Sequence, residues 1–133
     1  MISLEQAHAL ALECRGRAYC RYSGFAVGAA IKPYGEERLF GGCNVENASY
    51  GATICAERAA VFSMVSAMGR REIEYVVVAT DADPLAVPCA ACLQVLAEFS
   101  RPDTMVYIAD PEAVRHEYRF EELLPYPFTL KQV

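Results

Sequence analysis

The sequence predicts an α/β fold, a three-layer α-β-α sandwich around a mixed central sheet of about five strands. Two nearly continuous apolar runs, 73–80 and 104–110, have the composition of central strands that are covered on both faces. Segments with helical spacing precede and separate these runs. A Pro-Tyr-Gly turn at 33–35 joins two further strand-like segments as a hairpin.

The first half of the chain is predicted to hold two helices and the hairpin. A helical apolar stripe covers 3–20, with Ser3 as its N-cap. The hairpin strands are 25–32 and 38–43, and the polar segment that follows is a loop. The second helix runs from 54 to about 68 and stops at Gly69. Its core-facing residues are expected to be Ala59, Ala60, Phe62 and Met64.

The second half alternates strands and helices. A loop after the strand at 73–80 leads into a short helix at 89–100, and the strand at 104–110 follows. The tail from Tyr118 to Phe128 is expected to form a short strand or a turn of helix and then an extended end. The last three central strands are joined through helices, which predicts right-handed parallel crossovers. Sites in such sheets form beyond the carboxyl ends of the strands, where the following helices start.

Composition excludes several classes of protein. The chain has 133 residues, which predicts one domain over 1–133, and 54% of them are hydrophobic, which is enough for a core. The formal net charge is −5 and there is no Lys/Arg run, so a polynucleotide partner is not expected. No apolar stretch approaches the roughly 18–20 residues of a membrane span. The N-terminus lacks the pattern of a signal peptide, so a cytoplasmic location is expected.

Six cysteines without a secretion signal favour metal binding or catalysis over disulfides. Cys89 and Cys92 are three residues apart at the start of a helix, so both can face one point. A C-x-x-C pair at a helix N-terminus fits a thioredoxin-like redox pair or half of a zinc site.

Cys55 favours the zinc interpretation, because it stands at another predicted helix start behind a polar loop. If the two helices lie side by side, three thiolates converge and leave the fourth tetrahedral position open, as in catalytic zinc sites. The only histidines, His8 and His116, lie near neither helix start.

Glu57 follows Cys55 by two residues, so its carboxylate can point at the open metal position without ligating the metal. There it could take a proton from the attacking water and deliver it to a leaving group. The simpler interpretation is a first-turn glutamate that interacts with the helix dipole.

The segments "CNVENASYGATICAER" and "PCAACLQVLAEF" closely resemble the small, homotetrameric, zinc-dependent cytidine deaminases. The resemblance extends to "YSGFAVGAAI" and "LLPYPF" and so covers most of the chain. It implies one zinc ion per chain and hydrolytic deamination of cytidine and deoxycytidine to uridine and deoxyuridine, with release of ammonia, in pyrimidine salvage.

The resemblance also implies roles for individual residues. Cys55, Cys89 and Cys92 match the zinc ligands and Glu57 the proton shuttle. Asn44 and Glu46 match the pair that binds the ribose hydroxyls, and a charged polar pair of this kind can reject ligands that leave it unpaired. The remaining matches are Phe25 against the substrate, the Ala56 backbone at the base, and Tyr50 and Phe128 in a neighbouring subunit's pocket.

Arg58 matches a family arginine beside the metal ligands. Three thiolates and Zn²⁺ sum to a charge of about −1, so a cation near the sulfurs should stabilise the cluster.

The chain departs from the family pattern P-C-G-x-C-R-Q at two positions. Ala90 replaces the glycine, which would be costly only if that position had a positive φ. Leu93 replaces the arginine and removes a positive charge near the cluster, so more of the charge compensation is expected to fall on Arg58.

Alternative functions stay open at this point. A deaminase of another aminopyrimidine nucleoside, such as a blasticidin-type antibiotic or a modified cytidine, would use the same chemistry. A non-catalytic zinc module is opposed by the missing fourth ligand and by Glu57. A redox protein would leave Cys55 unexplained.

Overall fold

The computed structural model describes residues 1–130 and has one mixed five-stranded sheet of order β2-β1-β3-β4-β5. The elements in chain order are α1 (Leu4–Arg15), β1 (Gly28–Pro33), β2 (Phe40–Cys43), α2 (Ala56–Met68), β3 (Ile73–Ala79), α3 (Ala90–Ala97), β4 (Ser100–Ala109), β5 (Val114–Arg119) and α4 (Phe120–Leu123). A 3₁₀ turn at Tyr50–Ala52 interrupts the loop before α2.

Strand directions match the crossover pattern that the sequence predicts. β2 and β3 both pair antiparallel with β1, and β3 pairs parallel with β4. The three strands therefore point the same way, and α2 and α3 supply the connections between them. Their carboxyl ends lie together at one edge of the sheet.

The three-layer sandwich is confirmed. One face of the sheet, with Ile31, Val76 and Ile108, packs against α2 and α3, and Phe120 of α4 joins this core. The other face packs against Ala7 and Ala11 of α1. No helix within residues 1–130 is long and apolar enough to cross a membrane.

Strand β2 lies very close to α2 because Gly42 has no side chain. A Cβ atom at Gly42 would come within 2.5 Å of the Ala56 carbonyl oxygen and of the Ala60 nitrogen. On the opposite face, a Cβ at Gly41 would meet the Cys14 sulfur at 2.5 Å. The two glycines thus allow a helix to rest on each face of the same strand.

Several element boundaries differ from the sequence prediction. Ser3 does cap α1, with a capping box to Gln6, but the helix ends at Arg15. β1 begins at Gly28, because the Phe25 carbonyl and the Val27 N–H bond to the side chain of Asn44 instead of to the backbone of a neighbouring strand.

The most substantial miss is β5, an antiparallel edge strand that starts at Val114. The sequence did not predict it because β5 is rich in charged residues and lacks an apolar run. Such charged residues are common on edge strands. Phe62 was also predicted wrongly, since 47% of its surface is exposed on the outer side of α2.

Candidate functional site

Three thiols converge where α2 and α3 begin. Cys55 is the N-cap of α2, Cys89 is the N-cap of α3, and Cys92 lies in the first turn of α3. Their sulfur atoms all lie within 4.8 Å of one another, and the Cys55 and Cys89 sulfurs are 4.0 Å apart. Neither N-cap side chain makes a capping hydrogen bond to its helix, so both sulfurs are available as ligands.

The donor set fits zinc. Three sulfur ligands on two helices can occupy three vertices of a tetrahedron and leave one vertex open, which is the arrangement of a catalytic zinc site. Cys92 is fully buried, and burial, followed by the nearby Glu57, raises the pKa of its thiol. The buried thiolate therefore needs a cation beside it.

Arg58 supplies a cation from the protein. Its Nη2 atom donates a hydrogen bond to the Cys55 sulfur at 3.4 Å, and this bond raises the pKa of the guanidinium. Its Nε atom is buried and has no hydrogen-bond partner within residues 1–130. Arg58 therefore remains charged beside the sulfurs.

Glu57 lines a cleft next to the thiols and is only 4% exposed. Burial raises the pKa of its carboxyl group, and its own backbone N–H and Arg58 oppose that shift less strongly. Its burial beside the thiols distinguishes Glu57 from an exposed first-turn glutamate that only interacts with the helix dipole.

The cleft has a volume of about 340 Å³ and opens where β2 and β3 end and β1 begins. Six residues predicted from the sequence line it, namely Phe25, Asn44, Glu46, Cys55, Glu57 and Cys89. Cys92 and Ala56 are buried beside it in the first turns of their helices. The cleft thus combines thiols, a buried acid and a polar rim.

Asn44 is buried and holds the loop that carries Phe25. Its Oδ1 accepts a hydrogen bond from Val27 N, and its Nδ2 donates to Phe25 O, both at 2.8 Å. An amide has two donor hydrogens and two acceptor lone pairs, so one of each remains for a ligand.

Glu46 is held by the turn at 22–23. It accepts hydrogen bonds from the backbone N–H groups of Tyr22, at 2.9 Å, and Ser23, at 3.1 Å, and from the Ser23 hydroxyl. The Ser23 hydroxyl is the main reason that the pKa of Glu46 is lowered. Glu46 is therefore a fixed anion that can accept hydrogen bonds from hydroxyl groups.

Tyr50 and Phe128 do not reach the cleft of their own chain. Tyr50 is 83% exposed and Phe128 is 68% exposed. The Phe128 backbone is anchored to α3, since Gln94 accepts from its N–H at 3.2 Å and donates to its carbonyl oxygen at 2.9 Å. Gln94 thus holds the tail in place while the Phe128 ring remains exposed.

The two departures from the family pattern have simple structural outcomes. Ala90 is the first residue of α3, and no residue other than glycine has a positive φ in the described part of the chain. Leu93 is 7% exposed and packs in the core beneath α2 and α3. Neither replacement disturbs the helix that carries Cys89 and Cys92.

Sequence reasoning missed seven residues that line the cleft. They are Ser23, Val27, Thr53, Val78, Thr80, Ala86 and Val87. Val78 and Thr80 follow the alternation of β3, so the strand pattern contains a signal for them once the face of the sheet is known.

The family model for the cytidine and deoxycytidylate deaminase zinc-binding region matches residues 1–109. The chain belongs to this family. The cytidine deaminase of Halalkalibacterium halodurans is 42% identical over 123 residues, which is 92% of either chain. The enzyme of that name from Sporosarcina psychrophila is 37% identical, over 96% of this chain and 93% of its own.

Solved structures of the deaminase family agree with the fold. The cytidine deaminase from Burkholderia pseudomallei superposes with a TM-score of 0.87 at 36% identity. The match covers 96% of this chain and 100% of the Burkholderia chain. The Mycobacterium tuberculosis enzyme gives a TM-score of 0.79 at 35% identity, over 98% of this chain and all of its own.

Proposed function

We propose that the chain is a zinc-dependent cytidine deaminase that hydrolyses cytidine and deoxycytidine to uridine and deoxyuridine with release of ammonia. The observation that carries the proposal is the buried Glu57 beside three convergent thiols, at the wall of a cleft large enough for a small ligand. The names of the relatives support the choice of cytidine.

Cys55, Cys89 and Cys92 would hold the zinc ion, and Arg58 would balance the excess negative charge of the thiolates. Bound zinc would supply Lewis-acid activation of water, which makes water nucleophilic at neutral pH. The hydrogen bond from Arg58 to Cys55 supports its place beside the ligands.

Glu57 would carry the protons of the reaction. One molecule of water adds to C4 of the base, the C4–N4 bond breaks, and the amine leaves as ammonia. Glu57 transfers one proton of the attacking water to N3 of the base and then the second, from the new C4 hydroxyl group, to the departing amine, so it ends the cycle in its starting state. Its burial beside the thiols supports this role.

The polar rim of the cleft would bind the sugar. Glu46 would accept from the ribose hydroxyls, and Asn44 would use its remaining donor and acceptor there. Phe25 would pack against the nucleoside, and the Ala56 backbone at the start of α2 would contact the base. The fixed position of Glu46 supports this assignment, because a pre-organised acceptor loses little entropy on binding.

The protein would act as a homotetramer of single domains, each spanning 1–133, in the cytoplasm. Tyr50 and Phe128 would line the cleft of a neighbouring subunit, which their exposure outside their own cleft supports. All six cysteines are free in the structure, as suits a reducing compartment. Residues 131–133 of the domain lie outside the described residues.

The direct test is to purify the wild-type chain, measure zinc per chain, and follow the loss of absorbance of cytidine and deoxycytidine. We expect one zinc ion per chain and turnover of both nucleosides. Zinc-loaded protein that deaminates neither would overturn the proposal, and activity restricted to a modified cytidine would reassign the substrate.

A further inference from the structure

Arg15, the last residue of α1, bonds to two segments of the chain that are distant in sequence. Its Nε atom donates a hydrogen bond to the Ala26 carbonyl oxygen at 3.2 Å. Its Nη2 atom lies 2.9 Å from Oδ2 of Asp81 and forms an ion pair with that carboxylate. One guanidinium group therefore joins the segment before β1 to the loop after β3.

Both segments contribute to the wall of the cleft. Ala26 stands between two lining residues, and Asp81 begins the loop that supplies two more. These four lining residues are Phe25, Val27, Ala86 and Val87. The bonds of Arg15 therefore connect two parts of the wall from behind.

The backbone of Arg15 is itself held by packing. A Cβ atom at Gly28 would lie 2.7 Å from Arg15 N and 2.8 Å from Arg15 Cβ, so the end of α1 rests directly on the start of β1. The Arg15 side chain is 22% exposed, whereas that of Asp81 is 61% exposed. Arg15 is thus the fixed partner in this contact, and the segments are held relative to it.

The segment that carries Phe25 depends on side chains for its position. Asn44 bonds to Phe25 O and to Val27 N, both at 2.8 Å. Arg15 bonds to the carbonyl group of the residue between them. Three side-chain hydrogen bonds thus fix the backbone that places the Phe25 ring in the cleft.

We propose that Arg15 is a positioning residue that fixes the Phe25 segment relative to the loop 81–88 and thereby raises the affinity of the cleft for its nucleoside. The proposal rests on the proposed function, which places a nucleoside in this cleft. A guanidinium group donates in several fixed directions, so it can hold two acceptors at a constant separation.

Loss of this bridge should act on binding more than on chemistry. A ligand that enters a loosened cleft must order the wall as it binds, and that ordering lowers affinity. The cost is about equal in the ground state and the transition state, because Glu57 and the thiols lie on other helices. Such a change raises KM and leaves kcat nearly unchanged.

The test compares Arg15→Met with Arg17→Met in the zinc-loaded enzyme, with cytidine as substrate. We expect Arg15→Met to raise KM about fivefold, with kcat within about twofold. Arg17→Met is the matched control, because Arg17 pairs at 2.8 Å with Glu13 of α1 itself and should leave both constants unchanged.

Asp81→Ala tests whether the loop is held through Arg15. Alone it should raise KM, and the double variant Arg15→Met/Asp81→Ala should have the KM of Arg15→Met, because Asp81 acts through the guanidinium group. Increases in KM that multiply in the double variant would show that the two residues act independently, and the bridge would be rejected.

Hydrogen exchange tests the bridge without turnover. The N–H groups of Tyr22, Ser23 and Val27 are hydrogen-bonded in the structure, and we expect them to exchange faster in Arg15→Met than in Arg17→Met. Unchanged exchange in this segment, an unchanged KM, or a fall in kcat as large as the rise in KM would each overturn the proposal.

Two further results have separate meanings. If Arg15→Met does not fold, Asp81→Asn provides the KM comparison, since it changes only an exposed carboxylate. Wild-type protein without turnover would contradict the proposed function, and the exchange measurement would still decide whether Arg15 fixes the Phe25 segment.

Discussion

Cys55 and Cys89 occupy equivalent places, since each is the N-cap of a helix and their sulfur atoms lie 4.0 Å apart. The positive ends of both helix dipoles therefore face the sulfur cluster. The start of α2 also places its second and third residues, Glu57 and Arg58, beside the cluster.

Glu57→Gln should separate metal binding from turnover. The amide is nearly isosteric with the carboxyl group but cannot take a proton from water, so we expect kcat to fall by about 10²–10⁴-fold or more. Zinc content should match the wild type, because Glu57 is not a ligand. Glu117→Gln, on the exposed edge strand β5, is the control and should keep full activity. Loss of zinc from Glu57→Gln would contradict its role as a proton carrier.

Arg58→Met should weaken metal retention. The substitution keeps the length of the side chain but removes the hydrogen bond to Cys55 and the positive charge. Changes beside metal ligands typically cost about 10–100-fold in metal affinity. Zinc release in a competition with a chromophoric chelator measures the effect. Arg70→Met removes an exposed arginine whose side chain donates to Glu98 O, and it should leave zinc affinity unchanged.

Phe128→Ala should raise KM while zinc content and assembly stay as in the wild type, if Phe128 lines a neighbour's cleft. Tyr126→Ala, another exposed aromatic of the tail, is the control.

Mixed assemblies test whether Phe128 acts across subunits. Chains that carry Glu57→Gln keep Phe128, and chains that carry Phe128→Ala keep Glu57. Co-refolded mixtures should therefore regain low-KM activity that neither variant has alone. Mixtures that behave as the simple sum of their parts would place Phe128 outside the site. Tyr50→Ala can be tested in the same way.

Gly42→Ala should destabilise the fold. The added methyl group would lie 2.5 Å from backbone atoms of α2, so the helix or the strand must move. Overpacking of this kind costs about 1–3 kcal/mol, and chemical denaturation monitored by circular dichroism measures it. Gly51→Ala is the matched control, because a Cβ at Gly51 has nothing within 4 Å and the backbone there does not need glycine. Equal stability of the two variants would show that α2 can shift freely.

Asp110 should make the free energy of unfolding depend on pH in the acidic range. Its carboxylate accepts from Ala113 N and Glu112 N at 2.8 Å and from Arg115 Nε at 2.6 Å. The bond from Ala113, followed by the bond from Arg115, lowers the pKa of Asp110 to about 2. A lowered pKa stabilises the fold above the unfolded value of about 3.9, and this contribution is lost as pH falls toward 2.

The measurement for Asp110 is the unfolding midpoint of the wild type and of Asp110→Ala between pH 7 and pH 2. The difference between them should be constant above pH 5 and should shrink as the pH approaches 2. Asp103→Ala removes an exposed carboxylate from β4 and is the control. A difference that stays constant down to pH 2 would contradict the assignment.

The sequence predicted the centre of the site better than its walls. The convergence of Cys55, Cys89 and Cys92 could be predicted because helix starts, loops and ligand spacing are local patterns. Thr80 was missed because the end of β3, residues 76–79, is apolar, so alternation alone does not say which face meets the cleft.

The predicted boundaries of secondary-structure elements were wrong where side chains take the place of backbone hydrogen-bond partners. The segment before β1 looks like a strand, yet Asn44 takes the hydrogen bonds of Phe25 and Val27 from a distance in sequence. The edge strand β5 is exposed and charged, so its composition does not indicate a strand. Its hydrogen bonds to β4 define it as one. The first error arises from contacts between residues 17 and 19 positions apart in sequence, and the second from pairing with the preceding strand, which the charged composition of β5 does not indicate.

The paired glycines of β2 bear on how this enzyme could be redesigned. With α1 on one side and α2 on the other, the strand sets the thickness of the sandwich beneath the reacting groups. In a library of variants, most members that add even a methyl group at Gly41 or Gly42 would be destabilised. Directed evolution of substrate range should therefore leave the hairpin, Asn44 and Glu46 unchanged and diversify the loops 47–53 and 82–88, where new side chains can change the cleft without moving α1 or α2.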